Sequence, residues 1–152
     1  MLAADVSGDV SFVVFGMWSH GRDSRGYVDD VLRSLDAFSD VIQSRPTIIL
    51  GDMNSGTTLD GLVSKHHTGL IEAFSDLGLV SAYHASHGIE LGHEKHATYR
   101  HRFKNVDPWH IDFCFGPKGW ADHITNAELL DDERWRVESD HHPLVVDLTL
   151  PA

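Results

Sequence analysis

Apolar residues are arranged in this chain in two ways, as continuous runs and as periodic stripes. Ser11-Phe-Val-Val-Phe-Gly-Met-Trp18 is nearly unbroken, the pattern of a strand buried on both faces, so something must cover each side of it. After a Gly/Arg/Asp/Ser loop at 19–26, Val28, Val31, Leu32, Leu35, Phe38, Val41 and Ile42 recur at helical spacing and predict one amphipathic helix over 27–43. Pro46 ends the connection, and Thr47-Ile-Ile-Leu50 reads as a second buried strand, completing a strand–helix–strand unit. Leu70, Ile71, Phe74 and Leu77 predict a helix over 66–77 closed by Gly78. The stretch 84–108 is polar and rich in His and Gly, a long loop with a short strand at Ala97-Thr-Tyr99. Strands follow at Ile111–Phe115, 124–129 and 144–148. The order is that of a layered α/β sheet protein, and 152 residues form a single domain spanning 1–152.

Composition narrows the function classes. The 41% hydrophobic and 23% charged fractions are ordinary for a globular protein, and no apolar run approaches the ~18 residues of a membrane span. Met1-Leu-Ala-Ala4 is too short and uncharged for a secretory signal, so a cytoplasmic location is expected. The one cysteine, Cys114, cannot form an internal disulfide and reads as a small buried strand residue. A formal charge of −11 argues against a broad electrostatic embrace of nucleic acid, which depends on Lys and Arg displacing counterions. Carboxylates that bind a dication also count as negative in that sum, however, and Lys95, Arg100, His101, Arg102 and Lys104 fall within ten positions. The twelve histidines are read mostly as surface or hydrogen-bonding residues.

Three short motifs carry chemistry, each beside a strand. Asp52 and Asn54 follow a buried strand and Gly51, where a carboxylate and an amide can face one pocket; an Asx-turn or helix cap fits the same residues. Asp112 interrupts the apolar strand Ile111-Asp-Phe-Cys-Phe115, where an unpaired carboxylate is costly, and a histidine is its natural partner. Asp140-His141-His142-Pro143 precedes the last strand. Adjacent side chains on an extended segment point to opposite sides, so Asp140 and His141 need a bend to converge. A polar turn before an edge strand is the bland alternative.

In their order and strand context these motifs resemble those of the endonuclease/exonuclease/phosphatase superfamily, the DNase I-like metal-dependent phosphodiesterases. Gly51-Asp-Met-Asn54 is similar to the family's Gly-Asp-Phe/Leu-Asn motif, His110-Ile-Asp-Phe113 to its Ile-Asp-Tyr motif, and Ser139-Asp-His141 with Pro143 to its Ser-Asp-His-x-Pro motif. The likeness runs from about Val10 to the C-terminus. It implies that Asp52 orients or deprotonates the attacking water, that Asn54 binds a phosphate oxygen, and that Asp140, with Asp52 and Asn54, holds Mg2+ or Mn2+. His141 would contact the scissile phosphate while paired with Asp112. Thr98, Tyr99, His20 and His110 form the expected substrate side.

Two departures qualify the resemblance. The family's domain has an N-terminal half with an Asn and a metal-binding Glu that this chain does not match, and Trp18 stands where several members have a catalytic His or Tyr. The implied fold is therefore a half-domain of the DNase I-like sandwich, one mixed sheet covered by helices, with the face carrying Phe12, Val14, Ile48 and Leu50, or that of the alternate residues, left bare. A bare apolar sheet predicts association, here a homodimer in which Glu72, Glu90 or Glu94 replaces the missing metal carboxylate. The expected activity is metal-dependent hydrolysis of phosphodiesters, foremost of DNA. The alternatives are an impaired metal- or partner-binding half-domain, or a phosphatase of a small phosphorylated substrate. A transition-metal site at His66, His67, His93 or His96 is a lesser possibility.

Overall fold

A computed structural model describes residues 1–21, 24–62, 67–103 and 108–150. The strands are β1 (Leu2–Val6), β2 (Phe12–Trp18), β3 (Thr47–Asp52), β4 (Leu79–Ser81), β5 (Tyr99–Arg100), β6 (Pro108–Trp109), β7 (Asp112–Pro117), β8 (Ile124–Leu129) and β9 (Leu144–Leu148). The helices are α1 (Ser24–Ala37), α2 (Ser39–Ser44), α3 (His67–Asp76), α4 (Ala82–His87) and α5 (Glu133–Glu138). Five strands form a mixed sheet in the order β1-β2-β3-β7-β4, while β5-β6 and β8-β9 are separate two-stranded sheets. Only β2 and β3 run parallel, joined across α1 and α2; the other pairings in the large sheet are antiparallel.

Strand alternation gives this sheet two different faces. Val13, Phe15 and Met17 of β2, Ile49 of β3, and Phe113 and Phe115 of β7 point to one side, where Val28, Val31, Leu35, Ile42, Leu70 and Phe74 from the helices cover them. The rings of Phe74 and Phe115 stack in parallel with centroids 3.9 Å apart. On the opposite side Ile48 and Cys114 pack with Ala82 and Trp120, helped by half-buried Phe12, Val14, Ile124, Leu144, Val146 and Leu148. This second face is only partly covered: Ile48 is buried, but Leu50 is 41% exposed and Leu2 of the edge strand 78%. A groove of about 410 Å3 runs between Leu50, Ile48 and Cys114 on one side and Leu144, Val146 and Leu148 on the other, opening at Asp112 and His141.

The expected mixed sheet flanked by helices is present, with two small two-stranded sheets beside it. β8 and β9 begin a second, opposed layer, which is why Ile48 is buried rather than bare. The expected helix over 27–43 breaks at Phe38, whose φ of −113° and ψ of 10° separate α1 from α2. The apolar stripe continues across the break, because Ile42 stays in the same core and the Phe38 ring lies 5.1 Å from that of Phe15. The 84–108 loop contains the end of α4 and the β5-β6 pair, and β1, β4 and α5 are further elements outside the expected set. Residue 66, the expected start of the second helix, lies outside the described residues.

Gly51 fixes the end of β3. Its φ is +133°, and a Cβ there would lie 2.0 Å from the carbonyl oxygen of Met17. No side chain fits without pushing β2 and β3 apart. At Gly69, in α3, an added methyl group would have nothing within 4 Å. Gly51→Ala is expected to lower unfolding free energy by at least about 2 kcal/mol. Gly69→Ala is expected to raise it by about 0.5 kcal/mol. Urea titration of both variants checks this, and equal effects would contradict the packing described at Gly51.

Candidate active site

The sheet register sets three side chains in a row. Trp18 pairs with Asp52 across β2-β3, and Asp52 pairs with Asp112 across β3-β7, so all three emerge at the same edge on the partly covered face. Asp52 is locked by the residue two positions on. The Asn54 backbone N–H donates to Oδ1 at 2.7 Å and its Nδ2 to Oδ2 at 2.8 Å, with Asn54 at φ 48°. This is the Asx-turn alternative, and it holds the Asp52 carboxylate in a fixed plane. The second hydrogen of Nδ2 goes to the Ser19 carbonyl at 2.9 Å, so the amide donors of Asn54 are spent on bracing Asp52 rather than left for a phosphate oxygen.

Asp112 has the histidine partner its burial requires: Nδ1 of His141 lies 2.9 Å from Oδ2. The loop carrying His141 is tied down at several points. Ser139 Oγ accepts from the His141 N–H at 3.0 Å, the Arg100 N–H donates to the Asp140 carbonyl at 2.8 Å, and the His142 N–H donates to the Thr98 carbonyl at 2.7 Å. The buried Arg100 guanidinium donates to the carbonyls of Arg136 and Ser139. Tyr99 bridges to His141 in the backbone, with its ring centroid 4.6 Å from the imidazole.

The electrostatics follow from this crowding. Burial pushes the Asp52 carboxyl up to about 6, and the neighbouring Asp112 charge adds to the rise against the opposing hydrogen bond from the Asn54 N–H. The hydrogen bond to Asp112 raises His141 above the ordinary imidazole value. Asp52, Asp112 and His141 each offer a ligand atom within 4.8 Å of the others, the one such group of three among the described residues. The charge of Asp140 acts on both His141 and Tyr99, so it lies close by. Two or three carboxylates with one imidazole fit a hard divalent cation such as Mg2+ or Mn2+ better than a thiophilic one.

Several expected residues serve the scaffold, and His20 lies at the rim of the site. Thr98 is wholly buried, and its hydroxyl accepts from the backbone N–H groups of Ile111 and Asp112, which makes it a clamp on Asp112 rather than a substrate contact. His110 is buried against Tyr83 and Phe113, with Nδ1 on the His96 carbonyl. His20 is exposed and lies against Trp18. Glu94 Oε1 is engaged by His84 at 3.0 Å and by the Gly92 N–H at 3.1 Å, hydrogen bonds that hold its carboxyl at about 2 against the opposing effect of burial, and it lies outside the Asp52, Asp112 and His141 group. Glu72 and Glu90 are exposed and outside the carboxylate group. His67 bonds Ser55 and His96 bonds Tyr83, while His66 and Lys104 lie outside the described residues. A second cavity of about 340 Å3 beside Asn54 is lined by Tyr27, Tyr99, His101, Trp109 and Ile111. The alternation of Trp109 and Ile111 on the approach to Asp112 is the signal that points to it.

No protein-family model and no curated protein sequence matches the chain. Solved structures do match in shape. An AP endonuclease from Archaeoglobus fulgidus superposes with a TM-score of 0.66 at 19% identity, over 91% of this chain and 62% of that one. The 3' phosphatase NExo from Neisseria, bound to a product DNA hairpin, gives 0.68 at 17% identity over 97% of this chain and 64% of that one. An endonuclease/exonuclease/phosphatase protein from Beutenbergia cavernae gives 0.68 at 18% identity over 97% and 38%. The chain therefore has the DNase I-like fold and spans 38% to 64% of the length of these structures.

Asp52 makes stability depend on pH. An acid at about 6 in the fold and 3.8 otherwise binds its proton more tightly when folded, so its contribution is full below 3.8 and is lost as pH rises through 6. In EDTA, Asp52→Asn is expected to melt higher than wild type at neutral pH, with a margin that shrinks towards acid. Thermal melts across this range check it, and a pH-independent margin would contradict the assignment.

Proposed function

We propose that the chain is a divalent-metal-dependent phosphodiesterase acting on DNA. The observation that carries this reading is the Asp112–His141 pair standing beside the Asn54-braced carboxylate of Asp52, with ligand atoms of all three groups within 4.8 Å of one another. Asn54 holds the plane of the Asp52 carboxylate fixed, so that it can orient or deprotonate an attacking water. The Asp112 carboxylate keeps His141 protonated at Nδ1 and favours the imidazolium, leaving Nε2 to donate to a phosphoryl oxygen. Asp52, Asp112 and Asp140 would hold Mg2+ or Mn2+, which supplies charge neutralisation at the phosphate and a more acidic bound water.

The cavity beside Asn54 supports a nucleotide substrate over a small phosphate ester. The rings of His101 and Trp109, and of Trp109 and Tyr99, are 5.6 and 5.7 Å apart, forming an aromatic approach to His141 suited to bases and sugars. The matched solved structures include an AP endonuclease and a phosphatase holding DNA. No helix among the described residues is long and apolar enough to cross a membrane. The buried Cys114, its thiol pushed up to about 11, is unreactive and fits the reducing cytoplasm we assign to the protein.

The partly covered sheet face belongs to the same proposal. Leu50 and the half-buried Phe12 and Val14 lie beside the groove that opens at the site, and we assign their cover to a second copy of the chain. The protein is expected to cut DNA with Mg2+ or Mn2+ and not in EDTA, and to sediment as twice the 16.9 kDa chain. Asp52→Ala and His141→Ala are each expected to lower kcat/KM by about 100-fold or more. Cleavage that survives both substitutions would refute the site, and a 16.9 kDa species would refute the dimer.

A further inference from the structure

Trp18 is 68% exposed, although it ends a strand whose other large side chains are covered. Alternation explains the direction: Val13, Phe15 and Met17 turn to the helices, so Trp18 stands on the face of Asp52, its paired neighbour. Paired strands are ~4.8 Å apart, which puts the indole beside the carboxylate and within one nucleotide of its reaction. The His20 ring lies 4.9 Å from it at an interplanar angle of 48°.

The segment bearing these rings is fastened to the site. Ser19, between them, is buried; its hydroxyl donates to the Tyr27 carbonyl at 2.8 Å and its N–H to the Asp52 carbonyl at 2.9 Å. Its own carbonyl accepts from Asn54 Nδ2 at 2.9 Å. Trp18 and His20 therefore hold a fixed position relative to Asp52 and Asn54. An aromatic face also answers a difficulty set by charge. At a net −11 the chain has little to offer a phosphate backbone, whereas stacking requires no positive charge.

We propose that Trp18 and His20 form a stacking platform for an unpaired nucleobase next to the scissile phosphate. This deepens, and rests on, the nuclease reading. A base inside a duplex already has both faces covered by its neighbours, so the platform selects single strands and frayed ends. The cavity lined by Tyr99 and Trp109 also borders Asn54, so the site has a second aromatic surface.

The test is binding in Ca2+, by anisotropy of labelled oligothymidylate against a base-less strand with the same number of phosphates. Wild-type protein is expected to prefer the strand with bases about tenfold. Trp18→Phe should keep most of that preference, and Trp18→Leu, which retains an apolar side chain but no ring, should lower it severalfold, leaving the part owed to the Tyr99 and Trp109 surface. Equal binding of the two strands by wild type, or a preference undiminished in Trp18→Leu, overturns the proposal. A native mass altered in Trp18→Leu also overturns it, by assigning Trp18 to contact between copies. Binding in Ca2+ needs no turnover, so a protein that prefers bases but never cuts DNA would sink the nuclease reading and leave the platform standing.

Discussion

The structure turns on two carboxylates, Asp52 and Asp112, placed side by side by the β3-β7 register at the end of a buried sheet. Like charges this close are tolerated only if surrounding groups offset them. Asn54 donates twice to one, His141 pairs with the other, and the proton that Asp52 keeps up to about 6 takes up the remaining repulsion. Much of the nearby architecture serves that arrangement. Gly51 lets β3 approach β2, Thr98 grips the backbone at Asp112, and Arg100 anchors the loop that delivers His141. The same crowding is the physical basis of the proposed cation site, since a dication would relieve the repulsion that the protein balances with hydrogen bonds.

The apolar pattern along the chain was enough to recover β2, β3, β7, α3 and the two last strands, because each buries a continuous or regularly spaced set of residues. What it could not show has physical causes. β1 is an edge strand with Leu2 in solvent, so it carries no buried signature. α5 is short and polar, and its start depends on Asp132 accepting from the Trp135 N–H. The break at Phe38 is invisible because one residue leaves the helix while the apolar stripe continues. For the candidate site, motif spacing singled out Asp52, Asn54, Asp112, Asp140 and His141, of which the structure brings Asp52, Asp112 and His141 together, but it could not show which atoms were already occupied. Thr98 and His110 show the difference: a polar residue beside a motif can be spent entirely on the scaffold.

The partly opened face connects fold and chemistry. A complete layered sandwich covers both sides of its sheet, whereas here β8-β9 cover Ile48 and Cys114 and leave Leu50 at the surface. The groove between them ends at Asp112 and His141, so whatever covers that face also borders the reaction. Trp18 lies at the outer edge of the same face, where the apolar surface gives way to the site.

The central proposal is that Asp52, Asp112 and Asp140 would hold one divalent cation beside the imidazole of His141. Titrating Mn2+ into isotope-labelled protein tests it directly by NMR. The imidazole of His141 and the amides of Asp52 and Asp112 should broaden first, at substoichiometric metal. Broadening centred on His93 and the surrounding loop, with His141 unaffected, would contradict it.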